Sequence, residues 1–365
     1  MISFNRSGPT AIDLFSGAGG ITLGLLQAGF DVRLCADVSR ACGLTHARNF
    51  SGIPFLNRDI RELRGRDLLQ HSGMKAGHLD LLIGGPPCQG FSILGRREID
   101  DPRNGLFGQF LRIAFELRPK VIVIENVPGL ATLNGGAILK EIGQAFNAAR
   151  YRVDCAELLA AQYGVPQMRW RMFFIAWRGD LEIPGGGFPA PTHGRRGIGD
   201  LVPNHTILPE DMLGFLTIAD AISDLPAIGS GGLCSVYDGK PRSGYQRAMR
   251  AGLRKELFNH YAPRLSPQNL RRIAHLGPGE DWRHLPRHLL PPGMQRALRK
   301  DHTRRYRRMT WGGVARSIIT RFRDPKSGEY IHPDQARTIS IREAARIQSF
   351  PDWFEFMSTY SDQYD

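Results

Sequence analysis

The run Gly84-Gly85-Pro86-Pro87-Cys88-Gln89-Gly90-Phe91-Ser92 sets one thiol at the tip of a rigid loop. The apolar stretch 79–83 leads straight into it. That pattern predicts a buried parallel strand ending in a Pro-Pro turn. Loops at the C-terminal ends of such strands hold the ligand sites of open α/β sheets. Cys88 is therefore a candidate nucleophile. An inert core cysteine is the competing assignment, and the flanking Gly and Pro argue against it because they shape backbone and supply no core. Glu125 follows the apolar stretch 121–124 and falls at the same sheet edge, with a structural ion pair as its alternative. Arg169 and Arg171 alternate in a strand-like segment and so point the same way. Either suits fixed multi-donor work or a plain salt bridge.

These side chains need a scaffold, and the pattern around them supplies one. Residues 11–15 read as a short strand, with Gly17, Gly19 and Gly20 in the turn after it and a helix over 21–28. A second strand, 32–36, ends at Asp37 and is followed by a helix over about 39–48. Stretches 79–83, 121–124 and 172–177 are further strands, with a helix over 106–117. Strands alternating with helices predict an α/β fold with a mainly parallel, Rossmann-like sheet. Gly17 and Gly19 let the backbone approach a ligand closely. Asp37 can accept hydrogen bonds from a ribose diol or serve as a helix N-terminal charge. This geometry alone does not separate a dinucleotide from S-adenosylmethionine.

After Arg178 the texture changes. Pro184-Gly185-Gly186-Gly187 and Pro189-Ala190-Pro191 read as a linker, and the chain to about residue 308 is loop-rich without a repeat. Regular pattern returns at Trp311, and 342–348 suits a short helix ending before Phe350-Pro351. Residues 241–310 hold 17 Lys and Arg against 4 Asp and Glu, which accounts for the whole net charge of +13. A neutral body with one basic segment is the footprint of a polyanion binder, and a solvated helical face is the alternative. The cluster Arg304-Arg305-Tyr306-Arg307-Arg308 contains an aromatic residue and favours nucleic-acid contact. Five scattered cysteines (35, 42, 88, 155 and 234) show no CxxC pair or zinc spacing and suggest a reducing compartment. The short polar start and the lack of a ~20-residue apolar run predict a soluble, cytosolic protein without a membrane partner.

Five motifs in one order make a more specific signal. They are Asp13-Leu-Phe-Ser-Gly-Ala-Gly-Gly20, Pro87-Cys88-Gln89, Glu125-Asn126-Val127, Gln167-Met-Arg169-Trp-Arg171 and the stretch 337–348. Together they resemble the bacterial C5-cytosine DNA methyltransferases, over residues 11–178 and again 311–356. The resemblance implies a Rossmann-like S-adenosylmethionine-dependent methyltransferase sheet with a smaller, loop-rich target-recognition domain. Residues 1–182 would be the catalytic and cofactor-binding domain, 183–310 the target-recognition domain and 311–365 a segment returning to the catalytic domain. It implies that S-adenosyl-L-methionine is held by Asp13, Phe15, Gly17, Gly19, Gly20, Asp37, Asp59, Ile60, Pro86 and Leu106. Asp37 stands where the family usually has Glu. For Asp59 a helix N-cap role competes.

By the same resemblance Cys88 adds to C6 of cytosine, which makes C5 enamine-like. Glu125 contacts N3 and the exocyclic amine, Arg171 reaches the O2 side, and Arg169 holds the catalytic loop and a backbone phosphate, with Asn126 orienting the loop and Gln167 in support. A base within a duplex must be flipped out to be reached. The polar loop 89–104, with Gln89, Ser92, Arg96 and Arg97, is placed to close over the DNA, and Arg304, Arg305, Arg307 and Arg308 extend the contact. Double-stranded DNA is the implied partner, a cognate restriction endonuclease acts independently, and a monomer in the bacterial cytoplasm, nucleoid-associated, is expected. The family's closing Gly-Asn-Ala-Val block is not in this sequence. It packs beside the Gly-rich turn in the family, so weak cofactor binding is the corresponding expectation. The alternatives are a catalytically impaired DNA-binding relative and an RNA cytosine-5 methyltransferase. The common RNA enzymes carry a second cysteine near Glu125, which Ile124-Glu125-Asn126-Val127-Pro128 lacks.

Overall fold

The computed structural model describes residues 7–87, 105–131, 133–182, 187–194, 212–253, 255–296, 304–359 and 363. The chain divides into two compact units: Met1–Leu159 with Trp170–Ala190, and Ala160–Arg169 with Pro191–Asp365.

Unit 1 begins with β1 (Thr10–Leu14), the glycine turn, α1 (Gly20–Gln27) and β2 (Asp31–Ala36). Next come α2 (Arg40–Asn49), whose N-cap Ser39 hydroxyl accepts the Cys42 N–H, then β3 (Phe55–Leu56), α3 (Gly65–Ser72) and β4 (Leu81–Gly84). The series continues through α4 (Leu106–Leu117), β5 (Val121–Asn126), α5 (Ala137–Ala148) and β6 (Tyr151–Leu159). β7 (Gln167–Met168) belongs to unit 2, and β8 (Trp170–Arg178) returns to unit 1. The seven-stranded sheet has the order β3-β2-β1-β4-β5-β8-β6. The five strands from β3 to β5 are parallel. The order reverses between β1 and β4, which is the switch point where such sheets bind ligands.

The apolar stretches dictate this arrangement. On α4, Phe107, Phe110, Leu111, Ala114 and Leu117 recur at helical spacing and bury against Ile12, Leu82 and Ile122 of the sheet. Each large side chain removed from water contributes about 1.5–3 kcal/mol. β1 and β4 pack so closely that a Cβ on Gly84 would lie 2.4 Å from the Leu14 carbonyl oxygen.

The α/β class and the parallel core match the sequence reading. The far edge differs: β8 runs antiparallel to both β5 and β6, and β6 has no counterpart among the predicted strands. Only Tyr151 and Leu159 of β6 are fully buried, because it is an edge strand. Its half-exposed polar positions break any apolar run.

Unit 2 is built from short elements. β9 (His193–Gly194) pairs in parallel with β10 (Leu213–Gly214), and α6 (Ile218–Ile222), α7 (Gly244–Met249), α8 (Pro267–Ala274) and α9 (Pro292–Arg296) follow. β11 (Ala315–Arg316) pairs with β7, and α10 (Ile341–Ile347) comes last. Reciprocal capping boxes start three of these helices, at Thr217/Asp220, Ser243/Gln246 and Ser340/Glu343. The residues from Trp311 onward, read from sequence as a segment returning to the catalytic domain, belong to unit 2. Ile339, Ile341, Ala344 and Ile347 there share a core with Ile218 and Ile222.

α10 carries fully buried charge. Arg337 forms a fork on Glu343 at 2.6 and 2.7 Å. Arg346 bridges Asp224 at 2.8 Å and Asp352 at 2.7 Å. Arg342 donates to the carbonyls of Phe258, Pro351 and Phe354. Burial opposes ionisation of Glu343, but the Arg337 charge and hydrogen bonds outweigh it and hold the carboxyl well below its ordinary 4.5. A depressed carboxylate stabilises the fold above its unfolded value and loses that contribution as pH falls through the folded one. Glu343→Gln leaves Arg337 buried without its counter-ion. It should destabilise unit 2 by about 3–5 kcal/mol at neutral pH. Melting curves of the two proteins should then converge as pH drops below about 4.5; a gap independent of pH would contradict the assignment.

Candidate active site

The C-terminal edge of the parallel strands gathers the predicted residues of unit 1. After β1 the chain passes through Phe15, at φ +56°, Gly17, at φ +53°, and Gly19, at φ +99°. Gly19 has little alternative, since a Cβ there would stand 2.5 Å from the Phe50 ring and 3.1 Å from His46 Nε2. Gly20 opens α1. Asp13 lies inside β1, fully buried, where its Oδ2 accepts the Thr22 hydroxyl at 2.6 Å. Burial raises its pKa to about 7 against the opposing Thr22 bond.

Asp37 follows β2, and both of its oxygens have backbone donors: Gly17 N–H at 3.0 Å and Ser39 N–H at 2.8 Å. The carboxylate thus ties the glycine turn to the start of α2, while each oxygen keeps a second lone pair. A pocket opens beside it, lined by Leu14, Phe15, Ala36, Asp37, Asp59, Ile60 and Leu106, with Val38, Arg58 and Leu63. Of the predicted cofactor residues, Phe15, Asp37, Asp59, Ile60 and Leu106 line this pocket, while Asp13, the glycines and Pro86 are not among the lining residues. Asp59 sits in a turn rather than at a helix N-cap. Its carboxylate is bound by the Arg61 side chain, and that hydrogen bond lowers its pKa. Val38 was missed because a lone exposed valine carries no sequence signal. His46 was missed for a similar reason. Its buried ring packs on Phe50 and Phe55 under the turn, and desolvation lowers its pKa to about 4, so it is neutral at pH 7.

The second cluster lies at the ends of β4 and β5. Glu125 Oε1 meets Arg171 Nε at 2.7 Å, with the side chains 25 % and 20 % exposed. The ion pair given above as the alternative for Glu125 is thus present, with Arg171 as its partner. Gly85 makes room for it, since a Cβ on that residue would be 3.2 Å from Glu125 Oε2. Asn126 donates from Nδ2 to the Pro86 carbonyl at 2.9 Å and fastens β5 to the loop that runs on toward Cys88. Cys88, Gln89, Ser92, Arg96 and Arg97 lie outside the described residues.

Arg169 and Arg171 do not share a strand as the alternation predicted. Arg171 is in β8, whereas Arg169 falls between β7 and β8 at the end of a unit 2 segment, its N–H bonded to the Gln167 carbonyl. Gln167 is buried and donates to the Ile347 carbonyl at 3.3 Å.

The basic cluster requires a larger correction. Arg308 is buried and donates to the carbonyls of Leu276, Ile273, His332 and Gln335, so it is a core strut. Tyr306 is fully buried, and Arg307 pairs with Glu329 at 3.3 Å. Arg304 is exposed and Arg305 half-buried.

The model of the C-5 cytosine-specific DNA methylase family matches residues 10–365. The chain belongs to that family. It is 32% identical over 363 residues to the type II methyltransferase M.XorII of Xanthomonas oryzae pv. oryzae, across 96% of this chain and 78% of the relative. It is 31% identical over 409 residues to the type II methyltransferase M.AgeI of Thalassovita gelatinovora, across 97% of this chain and 94% of that one. Among solved structures it is similar to a prophage-encoded DNA modification methyltransferase from E. coli. That likeness has a TM-score of 0.72 and 25% identity, over 98% of this chain and 93% of the other.

As a C-5 cytosine-specific DNA methylase, the protein acts on DNA, and the family and fold imply S-adenosylmethionine as methyl donor. The pocket suits such a ligand: Leu14, Phe15, Ile60 and Leu106 offer apolar walls, and Asp37 offers acceptors at the mouth. No helix among the described residues is long and apolar enough to cross a membrane.

The crowding of Gly85 against Glu125 generates a test. Gly85→Ala should push the carboxylate off its Arg171 contact by a few tenths of an ångström. Misplacement of that order should lower DNA methylation about tenfold, with the melting temperature nearly unchanged. Wild-type turnover by the variant would show that the close approach is unimportant.

Proposed function

We propose that the methylase works on a cytosine flipped out of duplex DNA, with Cys88 as nucleophile and Glu125 and Arg171 holding the base. The observation that carries this reading is the Glu125–Arg171 pair, set against the Gly85-Pro86-Pro87 loop that leads to Cys88. The Cys88 thiolate forms a bond to C6, and the C5–C6 π pair moves to C5, which becomes enamine-like. Glu125 shares a proton with N3 and accepts from the exocyclic amine, so charge developing on the ring is neutralised. The guanidinium of Arg171 fixes the carboxylate and offers its remaining donors to O2. The C5 electron pair would take up the methyl group of the donor, and only then would loss of the C5 proton to water and departure of the thiolate from C6 restore the ring double bond.

S-adenosylmethionine, when bound, supplies an electrophilic methyl group. Asp59 and Ile60 would hold its adenine, Phe15 and Leu106 would line the same pocket, and Asp37 would accept from its ribose while it braces Gly17. Gly17, Gly19 and Gly20, with Asp13 and Pro86, would complete its binding site. Gln89, Ser92, Arg96 and Arg97 contact the DNA. Arg169, Arg304 and Arg305 contact phosphates. The residues between 183 and 310 read the target sequence, and the relatives' designation as type II methyltransferases supports a role beside a restriction endonuclease.

Duplex DNA containing 5-fluorocytosine should trap the protein as a stable adduct through Cys88, because fluorine at C5 cannot leave as a cation. Cys88→Ser should not be trapped. Adduct formation through another cysteine, or turnover by Cys88→Ala, would remove the mechanism. Glu125→Gln should reduce methylation by roughly 10²- to 10⁴-fold, the range of a positioned proton-sharing group, measured by transfer of labelled methyl to DNA.

A further inference from the structure

Unit 2 contains an open cavity of about 680 Å³ that none of the residues discussed above occupies. Three segments distant in sequence form it: the turn at Gly231 and Leu233, the stretch 261–269, and the turn 323–326. Each is held in place. The Ser230 hydroxyl donates to the Pro263 carbonyl at 3.2 Å and accepts the Leu265 N–H at 2.8 Å. Leu233 bridges Tyr261. Across the cavity, Tyr306 N–H donates to the Pro325 carbonyl at 2.8 Å, and Lys326 N–H donates to Asp324 Oδ1 at 2.9 Å.

The lining is cationic on an apolar floor. Arg264, Arg323 and Lys326 face the cavity against a single acid, Asp324, which already accepts a backbone N–H. The Arg264 stem lies along the turn at Gly231, where φ is +74° and a Cβ would stand 3.1 Å from Nε. Leu233, 72% exposed, and Tyr261 supply apolar surface between the cations. A small anion would need the cations and not the apolar strip. A protein partner would need the strip and not so unbalanced a charge. Nucleic acid presents both, phosphates beside sugars and bases.

We propose that this cavity grips the backbone of duplex DNA, with Arg264, Arg323 and Lys326 on phosphates. These contacts take the place of those that the burial of Arg308 and the pairing of Arg307 withhold. The proposal rests on the reading of the chain as an enzyme of duplex DNA.

The test uses the full chain and a mixed-sequence linear duplex, with binding followed by fluorescence anisotropy at rising salt. In the triple variant Arg264→Gln, Arg323→Gln, Lys326→Gln, affinity should fall tenfold or more. The slope of log affinity against log salt should drop by up to ~2.7, about 0.9 for each lost phosphate contact. A control triple, Arg66→Gln, Lys75→Gln, Lys140→Gln, removes the same charge from exposed positions of unit 1 and should keep the wild-type slope. Arg264→Lys with Arg323→Lys should restore most of the slope, which separates lost charge from a collapsed unit 2. Equal slopes for the cavity triple and the control, with a wild type that binds DNA, would overturn the cavity alone. A wild type without salt-dependent DNA binding would overturn the cavity and the duplex-DNA reading together.

Discussion

The antiparallel pairing of β8 with β5 is the constraint on which the candidate site depends. Glu125 is the penultimate residue of β5, which runs parallel to β4, so it emerges at the C-terminal edge. In the register, Glu125 is opposite Phe173 and Asn126 opposite Met172. Arg171 therefore falls at the start of β8 and at the finish of β5, within ion-pair reach of Glu125. Had β8 run parallel, its first residues would lie at the opposite edge. At ~3.3 Å per residue that edge is roughly 20 Å away for a six-residue strand. One reversal of strand direction thus recruits a guanidinium to an edge that parallel strands supply only with their own C-terminal residues.

The same edge shows how loops are disciplined without regular structure. Asp37 and Asn126 play equivalent parts in the two halves of the sheet. Each stands at or just beyond a strand end and spends side-chain capacity on a neighbouring loop, Asp37 on Gly17 and Asn126 on Pro86. Charged acceptors form the stronger hydrogen bonds, so the glycine turn, which has the greater conformational freedom to lose, is the one tied by the carboxylate. A residue that braces its turn from outside and still keeps lone pairs can bind a ligand without reorganising.

Much of this was readable in the sequence because the signals were local. Apolar runs gave the parallel strands other than the two-residue β3, and α4 followed from helical spacing within twelve residues. The placement of Glu125 at the C-terminal edge of the sheet followed from a strand end alone. What escaped depended on pairing. β6 is an edge strand with polar positions, so its identity comes from hydrogen bonds to β8 rather than from its own pattern. The direction of β8 is likewise invisible to a periodicity of two, which is the same for both orientations. Val38 and His46 took their places through the packing of other segments, and neither stands out in its own stretch of chain.

The basic segment shows why a charge count is a poor map of an interface. Arginine is the one cation that a protein interior readily accommodates, because its planar donors can satisfy several carbonyls at once. In unit 2, Arg308 and Arg342 bind carbonyl clusters, Arg337 and Arg346 bind buried carboxylates, and Arg272 donates to Leu289 and Asn269. In a region short of long helices and strands, many backbone carbonyls lack regular partners, and leaving one unpaired inside is costly. Arginines of the loop-rich stretch are consumed there first. The charge that remains for a polyanion belongs to side chains that cavities and turns hold at the surface, and these need not coincide with the densest run of basic residues in the sequence.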